Sequence, residues 1–371
     1  MEPIGIRLSD RRFQAPPFLD QGIVGASAGQ SFLPRAENAN YPCFAALDLG
    51  TNNCRMMVAN VLQSGGYRVT ETFSRVVRLG EGLHRTGCLS DVSIDRALTA
   101  LRMCAERLER KQPISVRAVA TEACRRAANG LDFLHLVRDE TGLDFEIISA
   151  REEVELAVES CSSFLGRFPD KSRALLIDIG GGSTEVAWVR LGWGNGRHQL
   201  IGYQSVPVGV VLLSEMFGNG PGSYEAMVSH VMKHLREFDA VHCIGREIAA
   251  DQVCMVGTSG TVTTLAALDL ALPRYIRSEV DGYVLAAEAA EHATTLLRNM
   301  TQDELLDHPC IGEERAQYVL PGCAIFEAIQ RFWKIPVTVA DRGLRDGMLM
   351  RMIRGFSRSG PVAGGFRQRG G

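Results

Sequence analysis

The sequence predicts an α/β protein made of two similar domains. Three observations support this fold class. The chain has 371 residues, more than one ordinary core requires. An apolar strand that ends in Asp-x-Gly occurs twice, at Asp48 and at Asp178, and each time a polar turn and a second apolar strand follow. Each copy then continues into a helix and a buried strand that leads to another helix, so the repeat is domain-sized.

The composition is that of a soluble globular protein, with 46% hydrophobic and 22% charged residues. A net charge of −3 gives no general attraction to nucleic acid or to an acidic membrane. No apolar run approaches the roughly 18 residues that span a bilayer, and the N-terminus has no signal-peptide organisation. The ten cysteines include no C-x-x-C pair. We therefore expect a cytoplasmic protein without disulfides that binds neither nucleic acid nor membrane.

Composition and periodicity also predict the order of the segments. Residues 1–41 are expected to form a flexible extension, because they are polar and lack sustained periodicity. The first domain is expected at 42–168 and the second at 169–340. A last helix at about 341–354 is expected to pack back on the first domain, and 355–371 to form a disordered tail.

The second Asp-x-Gly copy, ALLIDIGGGSTEVAWV at 174–189, predicts a hairpin with a glycine turn. Three consecutive glycines allow several backbone N–H groups to point at one anionic oxygen, such as a phosphate oxygen. Asp178 beside this turn is a candidate ligand for a divalent cation. The alternative is a plain tight turn, for which one glycine is enough, so we favour the phosphate interpretation. The first copy, at 43–62, has the same pattern around Asp48.

Two strand-to-helix junctions are further candidates for anion binding. The strand Val116–Ala120 leads into a helix from Thr121 that we expect Gly130 to close. In the second half, Val253–Val256 leads through Gly257–Thr261 into a helix. The first turn of a helix attracts anions through its free N–H groups and the helix dipole.

A helix is also predicted to begin at Ser149, with Glu152 three residues later. This spacing is typical of a capping box, which gives Glu152 a structural role. Its neighbour Glu153 is left without one and is therefore a candidate catalytic residue. The alternative is that Glu153 only interacts with the helix dipole.

Six stretches in order resemble the exopolyphosphatase/guanosine pentaphosphate phosphohydrolase family, within the superfamily of actin, sugar kinases and heat-shock chaperone ATPases. The resemblance implies two ribonuclease-H-like (actin-like ATPase) domains in a short, two-domain form, with the active site in the cleft between the domains, and a homodimer. The stretches are Asp48–Arg55, Thr121–Asn129, Ile147–Glu153, Ile177–Glu185, Val256–Thr261 and Asp341–Arg345.

The resemblance also implies Mg²⁺-dependent hydrolysis of a terminal phosphoanhydride, with a monovalent cation such as K⁺ as a second candidate cofactor. Inorganic polyphosphate is the favoured substrate. Guanosine pentaphosphate, a nucleotide of the stringent response, is the alternative, because both compounds end in the same bond. Two further alternatives remain, an ATP-dependent sugar or acetate kinase and a nucleotide-dependent switch protein.

Residue by residue, the resemblance assigns catalysis to Glu153 and Arg125, and metal binding to Asp178, Asp48 and Glu185. The sequence departs from the family at Asn53, where serine is usual, and at Ala150, where glycine is usual. The phosphate-binding candidates are Gly50, Thr51, Asn52, Asn53, Arg55, Gly180, Gly181, Gly182, Ser183, Thr184, Ser259, Gly260 and Thr261.

Other charged residues have two interpretations each. Arg342 and Arg345 contact either phosphate or an acid of the other domain, and Asp341 is a candidate helix cap. His230 and His234 have the spacing of a metal pair but lack a nearby acidic residue, so a surface helix is favoured.

Overall fold

The computed structural model describes residues 42–62, 66–192, 197–218 and 222–359. The predicted extension at 1–41 lies outside these ranges. Two mixed sheets dominate the described part of the chain, one of five strands and one of six. Within these ranges, no helix combines the length and the apolar character needed to cross a membrane.

The first sheet and the first six helices come from the N-terminal half of the described chain. The strands lie in the order β3-β2-β1-β4-β5, in which β1 is antiparallel to β2 and parallel to β4. The strands are β1 (Cys43–Leu49), β2 (Asn53–Val61), β3 (Tyr67–Val76), β4 (Ser115–Ala120) and β5 (Phe145–Ile147). The helices are α1 (Leu83–Thr86), α2 (Asp91–Lys111), α3 (Glu122–Arg126), α4 (Gly130–Thr141), α5 (Ala150–Ser160) and α6 (Ser162–Leu165).

The second sheet follows, in the order β10-β11-β9-β6-β7-β8. Its strands are β6 (Arg173–Ile179), β7 (Thr184–Arg190), β8 (Gln199–Val206), β9 (Val253–Thr258), β10 (Val284–Leu285) and β11 (Val337–Ala340). The helices are α7 (Val210–Phe217), α8 (Ser223–His242), α9 (Ile244–Ala249), α10 (Gly260–Asp269), α11 (Arg277–Val280), α12 (Ala287–Asn299), α13 (Gln302–Asp307), α14 (Glu313–Ala316), α15 (Val319–Phe332) and α16 (Leu344–Ser359).

The two sheets repeat one topology. Apart from β10, the second sheet has the order β8-β7-β6-β9-β11, with the same parallel and antiparallel pairs as the first. Asp48 pairs with Arg55 across β1 and β2, and Asp178 pairs with Glu185 across β6 and β7. Each hairpin also has a register shift at the same distance from its aspartate, at Val58/Ala59 and at Trp188/Val189. The repeat predicted from the two Asp-x-Gly motifs is confirmed.

The last helix, α16, packs against the first sheet. Met348, Leu349 and Ile353 join a buried cluster with apolar residues of that sheet, among them Phe44 and Ala46. The helix continues to Ser359, so the prediction that a disordered tail begins at residue 355 is wrong for its first turn. Residues 360–371 lie outside the described ranges. This packing holds the loop 341–343, which precedes α16, beside both sheets.

Gly130 does not close the helix that begins after Thr121, as the sequence had suggested. Helix α3 ends at Arg126, and Gly130 is the first residue of α4. A Cβ atom at this position would lie 2.1 Å from the carbonyl oxygen of Cys124. The glycine is therefore required by the close approach of two backbone segments, a requirement that the local sequence does not reveal.

Candidate functional site

A cleft of about 500 Å³ lies where the two Asp-x-Gly hairpins meet, and it is lined by most of the predicted site residues. The start of α10 and the loop before α16 complete its wall. The predicted residues that line the cleft are Asp48, Gly50, Thr51, Asn52, Asn53, Arg55, Glu153, Asp178, Gly180, Gly181, Gly182, Ser183, Glu185, Ser259, Gly260 and Thr261.

The two hairpin turns have the same local geometry and contact each other. The N–H of Gly50 donates to the carbonyl of Asn53, and that of Gly180 to the carbonyl of Ser183, both at 2.9 Å. A Cβ atom on Gly182 would lie 2.4 Å from Thr51 Oγ1. The second turn thus needs glycine for close packing against the first turn, a reason that the sequence did not supply.

Several backbone N–H groups at these turns are available to a ligand. The carbonyls of Gly180 and Gly181 accept hydrogen bonds from the first residues of α7, at 3.1 and 2.9 Å. In contrast, no described residue accepts a hydrogen bond from the N–H of Gly181, Gly182, Thr51 or Asn52. Converging N–H donors of this kind are suited to phosphate oxygens.

Four of the carboxyl groups that line the cleft have raised pKa values, because they are buried and, in three of them, because other carboxylates are close. Burial, together with the charge of Glu185, raises the pKa of Glu153 from 4.5 to about 8. Burial and the charge of Glu153 raise the pKa of Asp178 to about 7. Burial and Asp178 raise the pKa of Glu185 to about 7, although Ser205 Oγ donates to its Oε1 at 2.8 Å. Burial also raises the pKa of Asp48, against the opposing charge of Arg55.

These shifts predict that the folded state loses stability as the pH rises. A buried carboxyl with a raised pKa stabilises the fold in its neutral form. For Glu185 this contribution is fully present below its ordinary pKa of 4.5 and is lost as the pH rises through about 7. Each unit of pKa difference corresponds to about 1.4 kcal/mol. With a chelator present, the melting temperature should fall between about pH 5 and pH 8, and should fall less in Glu185→Gln.

The matched control for this measurement is Glu155→Gln. Glu155 lies on α5 and forms an ion pair with Arg151 at the surface, with the distance from Arg151 Nε to Glu155 Oε1 at 2.9 Å. Its curve of melting temperature against pH should parallel that of the wild type. A Glu185→Gln curve that is also parallel would contradict the assigned cause.

The carboxylates supply oxygen donors of the kind that Mg²⁺ prefers, but they do not form a closed metal site. Among the described residues, no group of three or more histidine, cysteine, aspartate or glutamate side chains is arranged to hold a metal ion. Mg²⁺ characteristically binds through one or two carboxylates, with waters and substrate phosphates as its other ligands. The donor set therefore fits Mg²⁺ held mainly by a phosphate substrate, and the metal roles of Asp48, Asp178 and Glu185 stay a prediction.

Two of the predicted site residues do not line the cleft. Thr184 is buried, and its Oγ1 donates to the carbonyl of Val208 at 2.7 Å. Arg125 donates to Glu122 Oε2 at 2.6 Å, to Glu153 Oε2 at 3.1 Å and to the carbonyl of Ile148 at 2.9 Å. Its guanidinium is therefore engaged by protein groups rather than directed at a substrate, and its most direct contact with the site is Glu153.

The predicted capping box at the start of α5 forms only in part. Ser149 Oγ accepts from the N–H of Glu152 at 3.1 Å, as expected. The carboxylate of Glu152 instead accepts from Arg117 Nη2 at 2.6 Å. Glu152 thus has a structural role, though a different one, and Glu153 faces the cleft with its side chain 15% exposed.

Three arginines bring positive charge into the cleft: Arg55, which was predicted to bind phosphate, Arg345, for which phosphate contact was one of two interpretations, and Arg315, which no motif indicated. Arg55, Arg315 and Arg345 all line the cleft, and no described carboxylate lies within ion-pair distance of any of them. Burial and the charge of Arg55 lower the pKa of both Arg315 and Arg345. Three guanidinium groups that face one another without acidic partners are suited to a polyanion.

The contacts around this cluster distinguish Arg342 from Arg345. Arg342 Nη2 lies 3.4 Å from Asp281 Oδ2 and so has an acidic partner, whereas Arg345 donates only to the carbonyl of Met56, at 3.3 Å. Arg315 follows two glutamates in α14. Nothing in the local sequence predicted that Arg315 lines the cleft. The rings of His230 and His234 in α8 pack edge to face, and neither residue lines the cleft.

Comparison with known proteins agrees with this geometry. Residues 59–356 match the model of the Ppx/GppA phosphatase family. The chain is 28% identical over 324 residues to exopolyphosphatase 2 of Mycobacterium tuberculosis, which covers 83% of this chain and 98% of that protein. The solved structure of an exopolyphosphatase-like protein has a TM-score of 0.73 and 28% identity, covering 84% of this chain and 98% of the other. The Aquifex aeolicus member of the Ppx/GppA family has a TM-score of 0.68 and 26% identity, with the same coverage.

Proposed function

Because the chain belongs to the Ppx/GppA phosphatase family, we propose that it hydrolyses the terminal phosphoanhydride of inorganic polyphosphate and releases orthophosphate. The observation that carries the proposal is the position of Glu153. Its carboxylate faces a cleft that also presents unpaired arginines and free backbone N–H groups. A base beside an anion-binding surface is the combination that phosphoanhydride hydrolysis requires.

In the proposed reaction, the substrate binds with its terminal phosphate between the two hairpin turns. The N–H groups of Thr51, Asn52, Gly181 and Gly182 would donate to its oxygens. Arg55, Arg315 and Arg345 would bind the following phosphates. Arginine is suited to this role because its planar guanidinium can donate two hydrogen bonds to one phosphate.

Glu153 would orient a water molecule and accept its proton. Arg125 Nη1 holds Oε2 of this carboxylate at 3.1 Å, and no described residue donates to Oε1, which is left for water. The water oxygen forms a bond to the terminal phosphorus, and the bridging P–O bond breaks with its electrons going to the shortened chain. A raised pKa makes Glu153 a stronger base than an ordinary carboxylate.

Without a counter-ion, the carboxylates Asp48, Glu153, Asp178 and Glu185 would repel a polyanion. Asp178 and Asp48 are the residues that would hold Mg²⁺ together with the substrate phosphates. The chemistry that this ion supplies when bound is neutralisation of charge on the phosphate oxygens.

Guanosine pentaphosphate is a second candidate substrate, favoured by one observation. Part of the cleft wall is apolar, formed by Leu297, Val319 and Cys323 beside Tyr318. A chain of phosphates has no neutral portion to place there, whereas a nucleoside has one.

A phosphate-release panel tests the proposal. It compares long polyphosphate, tripolyphosphate, guanosine pentaphosphate and ATP, each with Mg²⁺ and with a chelator. We expect release from polyphosphate without any acceptor molecule, and a loss of at least about tenfold with the chelator. Turnover only with ATP and an acceptor would contradict the proposal and indicate a kinase. Faster phosphate release from guanosine pentaphosphate than from polyphosphate would favour the second candidate substrate.

A further inference from the structure

Glu122 is a buried carboxylate of the cleft wall. The proposed reaction gives this residue no role. It is the first residue of α3, and its side chain is 11% exposed. It lines the cleft, and a Cβ atom on Gly182 would lie 3.1 Å from its Cγ. A buried acid next to a phosphate-binding loop opposes the binding of an anion, so its presence requires an explanation.

The hydrogen bonds of Glu122 supply an explanation for its buried position. Arg125 Nε and Nη2 both donate to Glu122 Oε2, at 3.2 and 2.6 Å. On its other side, Arg125 Nη1 donates to Glu153 Oε2 at 3.1 Å and to the carbonyl of Ile148 at 2.9 Å. The guanidinium is therefore held between two carboxylates, and only one of them is the proposed base.

We propose that Glu122 is a positioning residue that acts through Arg125. Glu122 binds the guanidinium through Nε and Nη2, and this fixes Nη1, which holds the Glu153 carboxylate in one orientation toward the cleft. A planar guanidinium bound on both sides cannot rotate without breaking hydrogen bonds on one of them. Without Glu122, the carbonyl of Ile148 and Glu153 itself are the remaining partners of Arg125. A small displacement of a catalytic group is enough to lower turnover substantially.

This inference rests on the proposed function, and a double-mutant cycle in kcat tests it. Glu122→Ala should lower kcat about tenfold or more, while KM changes less than about twofold, because the substrate is not the partner of Glu122. In an Arg125→Ala background, the same substitution should change kcat less than about twofold. Glu122→Gln keeps an oxygen that can accept from Arg125, so it should restore part of the lost kcat.

Arg126→Gln is the matched control. Arg126 lies on the same helix, and its Nε is 3.8 Å from Glu122 Oε1, but it has no hydrogen bond to Glu153. Its kcat should stay within about twofold of the wild type. Losses that multiply in the Glu122/Arg125 double variant, or a changed KM in Glu122→Ala, would mean that Glu122 acts directly on the substrate and would overturn the inference. An unchanged kcat in Glu122→Ala would overturn it as well.

A second readout separates this inference from the proposed function. If the wild type releases no phosphate from any compound in the panel, the proposed function fails, but the coupling of Glu122 and Glu153 is still measurable. Both carboxylates bind one guanidinium, so the melting-temperature shifts of Glu122→Ala and Glu153→Gln should not add in the double variant. Additive shifts would overturn the inference.

Discussion

Glu153→Gln should reduce phosphate release by about a thousandfold while leaving polyphosphate binding within about threefold. The amide has the shape of the carboxylate, and its oxygen can still accept from Arg125 Nη1, but it cannot take a proton from water. Proton transfer to a positioned side chain contributes about a hundred- to ten-thousandfold in enzymes. Steady-state phosphate release measures kcat, and equilibrium binding of labelled polyphosphate measures affinity in the same buffer.

The neighbouring substitution Glu152→Gln is the control for this variant. Glu152 is on the same turn of α5, but its carboxylate accepts from Arg117 at 2.6 Å. We expect its kcat to remain within about threefold of the wild type, with a small loss of stability from the lost ion pair. Near-normal turnover in Glu153→Gln would remove Glu153 from the reaction.

Gly347→Ala should strongly destabilise the fold at a position outside the cleft. A Cβ atom at this position in α16 would lie 2.2 Å from the carbonyl oxygen of Leu156 and 2.9 Å from its carbonyl carbon. Both atoms belong to the backbone of α5, so no flexible side chain can move aside. Helices α5 and α16 must separate to admit the methyl group, and we expect a loss of about 2–4 kcal/mol in the free energy of unfolding. Urea denaturation followed by circular dichroism measures it.

Gly355→Ala, on the same helix, should have the opposite sign. Among the described residues, a Cβ atom there would have no atom within 4 Å apart from its chain neighbours and the backbone of its own helix. Alanine is favoured over glycine inside a helix by about 0.5–1 kcal/mol, so this variant should be slightly more stable than the wild type. If both variants were destabilised equally, the close contact between Gly347 and α5 would not be the cause, and the assigned packing would be wrong.

The fold could be predicted because its signal is local and occurs twice. Each Asp-x-Gly hairpin combines an apolar strand, a polar turn and a returning strand, and the structure repeats both hairpins down to the position of the register shift. Most of the glycine-turn residues line the cleft for the same reason, since a motif at a strand end fixes where its side chains lie.

The remainder of the site depends on contacts between distant segments, which the motifs do not contain. Arg315 reaches the cleft because α14 lies beside the start of α10, where a Cβ atom on Gly260 would be 3.6 Å from the Arg315 guanidinium carbon. Arg125 belongs to a recognised motif, yet its partners are set by the approach of Glu122 and of α5. The motif therefore could not predict that the guanidinium of Arg125 binds Glu122 and Glu153, and the catalytic role of Arg125 stays a prediction.

The register pairs Asp48–Arg55 and Asp178–Glu185 make the charge of the cleft different at its two hairpins. The two hairpins are alike in backbone, but one presents a cation where the other presents an anion. A linear, uniformly charged substrate has equivalent ends and could enter such a cleft either way round if its walls matched. Because they do not match, the surroundings are acidic near Glu185 and basic near Arg55. Opposite charges at matched positions thus provide a physical basis for one preferred direction of such a chain in the cleft.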